Sequence, residues 1–173
     1  MIDRAEPNLF REDFPYDRVP PMRFASGAVG MARPERVWIT DTTFRDGQQA
    51  RAPYTLDQIV DLYGLLGQLG GSLIRQTELF AYTTLDREAI AACQARTGPE
   101  VTTWMRASLD DLRAVQATGV KETGILASAS DYHIYLKMNR TRRQAADDYG
   151  RVVQAVVDAG IRPRVHLEDL TRA

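Results

Sequence analysis

Asp41-Thr42-Thr43-Phe44-Arg45-Asp46-Gly47-Gln48-Gln49 follows directly on Arg36-Val37-Trp38-Ile39-Thr40, a run rich in β-branched and aromatic residues. The run reads as a strand and the polar stretch as the loop that leaves its C-terminal end. Two carboxylates, a guanidinium and a glycine thus sit where α/β enzymes keep their chemistry. A carboxylate suits a hard divalent cation, and a guanidinium beside it donates to developing oxyanion charge without losing its proton.

Downstream the pattern alternates. Thr55-Leu56-Asp57-Gln58 is a capping box, and Leu56, Ile59, Val60, Tyr63, Leu66 and Leu69 recur at helical spacing until Gly70-Gly71. A strand is expected over 72–78, a helix over 85–96 closed by Gly98, and a strand over 101–106. Ser108 opens a helix that Gly119 ends, and 120–127 reads as a fourth strand. Thr141-Arg142-Arg143-Gln144 is a second capping box, leading a helix with Ala145, Tyr149, Val152, Val153, Val156 and Val157 on one stripe up to Gly160; 164–167 begins a fifth strand. Strands alternating with helices demand parallel pairing through right-handed crossovers. By alternation alone an open doubly wound sheet and part of a barrel both fit. The 173 residues are fewer than the ~250 of a complete (β/α)8 barrel.

Residues 1–35 carry five of the eight prolines (Pro7, Pro15, Pro20, Pro21, Pro34) among charges and aromatics, and read as an extended arm lying on its own domain or on a partner. Residues 36–173 read as the catalytic domain. A net charge of -1 gives no case for nucleic acid or an acidic membrane. No apolar run approaches the ~20 residues of a membrane span, and a single cysteine, Cys93, forms no intrachain disulfide. A cytoplasmic protein is expected, with Cys93 as a small buried hydrophobe.

Each expected strand ends in polar residues: Asp41 with Arg45 and Asp46; Gln76, Thr77 and Glu78; Arg106; Ser128, Ser130 and Asp131; Glu168 and Asp169. Five such clusters would make a polar mouth on one rim, although any one alone reads equally well as a structural ion pair.

The Asp41–Gln49 stretch resembles the signature Asp-Thr-Thr-(Leu/Phe)-Arg-Asp-Gly-x-Gln of the isopropylmalate synthase, homocitrate synthase and 3-hydroxy-3-methylglutaryl-CoA lyase superfamily. Thr103-Trp104-Met105-Arg106-Ala107, Ser130-Asp131-Tyr132-His133 and His166-Leu167-Glu168-Asp169-Leu170-Thr171-Arg172 resemble later segments of the synthases, with His166 where they commonly have Ser. Arg-Asp-Gly-Gln-Gln-Ala-Arg-Ala-Pro-Tyr-Thr and Lys-Glu-Thr-Gly-Ile-Leu are most similar to the branch of Re-type citrate synthase and the phosphonomethylmalate or phosphinomethylmalate synthases.

The resemblance implies the first five strands of a TIM barrel and a divalent-metal-dependent condensation of acetyl-CoA with a 2-oxo acid. It places metal binding on Asp46, catalysis on Arg45 and Glu168, and substrate contact on Gln49, Glu78, Arg106 and His133. His166 is expected to pack or to support the site indirectly. Mg, Mn, Co or Zn would be the metal, and the intact enzyme a homodimer in biosynthetic carboxylic acid metabolism. The family's His-x-His is not found in this sequence, whose only histidines are His133 and His166. The isolated chain is therefore expected to be an inactive fragment. The alternatives are an acyl-CoA lyase on the same barrel and a non-catalytic half-barrel that binds a partner through its edge. An open-sheet phosphate binder is disfavoured, because no Gly-rich phosphate loop follows any strand.

Overall fold

The computed structural model describes residues 35–170, together with the backbone of two short strands, β1 (Met22–Phe24) and β2 (Gly27–Val29). β1 and β2 pair antiparallel. The rest of the proline-rich arm, and Thr171 and Arg172 of the last motif, lie outside the described residues. The chain divides into two compact units, Met1–Val37 and Trp38–Ala173.

The larger unit is built on five parallel strands in sequence order: β3 (Ile39–Asp41), β4 (Ile74–Leu79), β5 (Glu100–Arg106), β6 (Glu122–Ser128) and β7 (Arg162–Glu168). Helices α1 (Leu56–Gly70), α2 (Thr84–Gln94), α3 (Leu109–Gln116) and α4 (Arg142–Asp158) connect them in turn. Neighbours in sequence are neighbours in space, as right-handed βα repetition requires. The result is an α/β half-barrel.

Local chemistry explains the starts of α1, α2 and α4. Thr55, Thr83 and Thr141 each accept a hydrogen bond from the backbone N–H three residues on, and Gln58, Asp86 and Gln144 return the bond. These are reciprocal caps that satisfy two orphan donors apiece. The core lies between sheet and helices, where Ile59, Tyr63, Ile90, Met105, Val115, Ile125 and Val156 are buried. Tyr63 enters it with its hydroxyl donating to Pro99 O at 2.8 Å. Cys93 is fully buried, as expected of a small apolar residue.

Several boundaries differ from the sequence expectation. The first strand begins at Ile39, not Arg36, because ladder pairing with β4 starts only there, through Ile39 N–H to Leu73 O. Trp38 is instead exposed beneath the guanidinium of Arg75. Leu69, counted on the apolar stripe of α1, is 83% exposed, and Val157 of α4 is half exposed. Both repeat the helical spacing, but no described element packs on them. The loop after β6 holds a wide helical turn, Tyr132–Lys137, closed by Met138 N–H to His133 O, an i to i+5 bond.

β3 and β7 are the sheet's edges. The outward residues Val165 and Leu167 of β7 are half exposed, whereas Arg164, His166 and Glu168 alternate with them onto the inner face.

Candidate active site

The β3–α1 loop is fixed from below and above. Phe44 is buried as a plug. Asp41 accepts from Thr43 Oγ1 and from Thr77 Oγ1 of β4, both at 2.6 Å, which pins the loop to the next strand. Gln48 clamps its two ends, donating to Phe44 O at 2.6 Å and accepting from Tyr54 N–H at 2.7 Å. Asp41 is therefore a structural residue of this loop.

So held, the loop delivers Arg45 to the mouth. Its Nε donates to Glu78 Oε2 at 2.7 Å and its Nη1 to Asp46 Oδ1 at 2.7 Å. Gln49 donates to the same Asp46 oxygen at 3.3 Å. The Arg45 side chain is only 11% exposed, against 49% for Asp46. Nη2 of Arg45 has no hydrogen-bond partner among the described residues. Arg45 Cζ lies over the Trp104 ring, 4.0 Å from its centroid.

Glu78 is 1% exposed, and a carboxylate buried that deeply needs cations. It has two, for its second oxygen pairs with Arg164 of β7. Arg164 also donates to Gln76 Oε1 at 3.1 Å and to Thr40 Oγ1 at 3.2 Å, reaching from the last strand to the first. Beneath it, Arg162 donates to Glu122 Oε2 at 2.6 Å.

A second group forms across the mouth. Ser128 Oγ donates to Glu168 Oε2 at 2.7 Å, with His133 Nδ1 3.2 Å and Lys137 Nζ 3.8 Å from that oxygen. The His133 approach satisfies ion-pair distance but is poorly aligned for a hydrogen bond. The Ser128 hydrogen bond, helped by Lys137 and His133, holds the Glu168 carboxyl below its usual range. His166, on the same inner face, has its Nε2 buried without a hydrogen bond and meets the Trp104 ring edge-on at 4.3 Å. Burial, with the nearby charge of Arg164, pushes its pKa down.

The structure thus brings together Arg45, Asp46, Gln49 and Glu78, and separately His133 with Glu168. Arg106 stands apart from both: its guanidinium is 71% exposed and grips Asp111 at 2.9 and 2.8 Å, while Tyr82 donates to the same carboxylate. Trp104, Arg164 and Lys137 belong to the site and were not singled out from sequence. The signal for Arg164 was present, two residues before His166 on a strand whose alternation puts both on one face. Among the described residues no three His, Cys, Asp or Glu converge to hold a metal. Asp46, half exposed beside Arg45, is placed to supply one ligand.

A parallel half-barrel carrying guanidinium and carboxylates at its C-terminal rim has the architecture of the first five strands of a TIM barrel. The chain belongs to the HMGL-like family, whose model matches residues 36–173. It is 53% identical over 177 residues to a citrate (Re)-synthase of Syntrophus aciditrophicus, covering 100% of this chain and 28% of that protein. It is 46% identical to the citrate (Re)-synthase of Clostridium kluyveri, covering 97% of this chain and 38% of that one. With the 2-phosphinomethylmalate synthase of Streptomyces hygroscopicus identity is 42%, covering 97% and 40%. The chain therefore spans well under half the length of these relatives. Hydroxymethylglutaryl-CoA lyase from Pseudomonas aeruginosa shares the fold at a TM-score of 0.64 and 20% identity, over 78% of this chain and 46% of that one.

Proposed function

We propose that the whole protein carrying this chain is a divalent-metal-dependent acyltransferase that condenses acetyl-CoA with a 2-oxo acid, and that the oxo acid is oxaloacetate and the product citrate. The citrate (Re)-synthase relatives support the choice of substrate. The observation that carries the reading is Arg45, nearly buried, fixed by Glu78 and Asp46, and keeping one N–H pair for a ligand.

In this reading the keto oxygen of the oxo acid accepts from Arg45, which stabilises the alkoxide that forms on it. A bound divalent metal, with Asp46 as one ligand, would polarise the same carbonyl. Glu168 handles protons as the acetyl-CoA methyl loses one, and the resulting enolate attacks the keto carbon. Water then hydrolyses the thioester and releases CoA. Gln49, Glu78 and His133 fix substrate orientation, and Arg106 is a contact at the outer rim. A cytoplasmic homodimer completes the proposal.

The test is thiol release from acetyl-CoA by the whole protein with a panel of 2-oxo acids: oxaloacetate, 2-oxoglutarate, 2-oxoisovalerate and pyruvate. Release with oxaloacetate alone, accompanied by citrate, is expected. Preference for another oxo acid would reject the substrate, and cleavage of a hydroxyacyl-CoA without condensation would reject the reaction.

A further inference from the structure

Two hydrogen bonds hold the edge of the Arg45 guanidinium, and both come from near at hand: Asp46 in the same loop and Glu78 on the adjacent strand. A third contact comes from further round the sheet, the indole of Trp104 on β5, whose centroid lies 4.0 Å from Arg45 Cζ. The negative face of an indole attracts a cation, and more strongly when water is excluded.

Trp104 is in turn held by its neighbours. On β6 the residue beneath it is Gly124, where a Cβ would lie 2.5 Å from Trp104 Cε3 and 3.1 Å from Cζ3. Its φ is not in the left-handed region, so the glycine answers to space and not to backbone conformation. On β7 the His166 ring packs edge-on against the indole. Three successive strands therefore supply a floor (Gly124), a wall (His166) and the plate itself.

We infer that Trp104 is a positioning residue for Arg45, and that Gly124 is required because it lets the indole lie flat. The inference rests on the reading of Arg45 as the group that binds the keto oxygen. With the indole against its central carbon and two nitrogens engaged, the guanidinium is held from three sides and offers its remaining nitrogen in a single direction. An aliphatic residue at 104 would fill the volume without fixing the plane.

The experiment compares Trp104→Phe, Trp104→Leu and Gly124→Ala in the whole protein. Trp104→Phe keeps a π face and should retain most activity. Trp104→Leu and Gly124→Ala should each lose about tenfold in kcat/KM for the 2-oxo acid, the scale of a desolvated cation–π contact, with KM for acetyl-CoA unchanged. A second readout does not need turnover. This chain carries Trp38 and Trp104; the emission of Trp104 in the whole protein is the difference between the unaltered protein and Trp104→Phe, and Arg45→Ala should shift that difference. Wild-type kinetics in Trp104→Leu, or parallel loss of both substrates' parameters together with the melting temperature, would overturn the inference. So would emission indifferent to Arg45→Ala. If the unaltered protein condenses no oxo acid, the proposed function fails by itself, and the emission arm still decides whether Trp104 supports Arg45.

Discussion

Arg45 Nε and Glu78 Oε2 lie 2.7 Å apart with the carboxylate 1% exposed, so a loop guanidinium is anchored to a charge that water does not reach. Glu78 is also held by Arg164, which leaves it between two cations. Removing its charge while keeping its shape strands both guanidiniums. Glu78→Gln should destabilise the fold by roughly 3 kcal/mol, the scale of breaking a buried pair from one side. Urea denaturation checks this; an unchanged midpoint would mean the cations find other partners.

Arg45→Lys keeps the charge but lacks the planar fork that meets Glu78, Asp46 and the Trp104 face together. Activity of the whole protein should fall about 100-fold in kcat, as when an oxyanion donor is lost, with the melting temperature little changed. Steady-state kinetics beside a thermal melt separate the two. Full activity in the lysine variant would remove Arg45 from the chemistry.

His166 makes stability depend on pH. Burial and Arg164 lower its folded-state pKa below the ordinary value of about 6.5. In the window below that value the unfolded chain binds more protons than the folded one, so stability rises with pH. The contribution is complete above the unfolded value and is lost as pH falls through the folded one. Denaturation midpoints between pH 5 and pH 7.5 should show this slope, and His166→Phe should flatten it. An unchanged slope in that variant would assign the dependence elsewhere.

Cys93 is fully buried, and desolvation pushes its thiol up to about 11. Ellman's reagent at pH 8 should leave it untouched in the native protein and react with it in guanidinium chloride. Rapid native labelling would mean that α2 opens readily from the sheet.

Most of the fold is legible in the residues, and the exceptions have physical causes. The caps at Thr55 and Thr141 announce themselves through a Gln three residues on. The equivalent cap at Thr83 does not, because its partner is Asp86, outside the usual Ser/Thr-x-x-Glu/Gln pattern. Leu69 fails as a core residue because periodicity reports which side of a helix is apolar and not whether anything covers it. In the site, Arg45, Asp46 and Gln49 of the loop converge with Glu78 of β4. Trp104 and Arg164 were hidden, since an aromatic or a cation inside a parallel strand looks like packing or surface until the strand's inward face is known. The wide turn Tyr132–Lys137, which sets both His133 and Lys137 over Glu168, leaves no mark in composition.

The reach of Arg164 from β7 to Thr40 on β3 has a mechanical meaning. It acts as a cross-brace between the two outer strands of the described sheet, adding polar contacts inside the bend to the backbone ladders that join the five strands. Replacing Arg164 by an uncharged residue would cut that tie and leave Thr40, Gln76 and Glu78 each short of a partner on strands remote from β7.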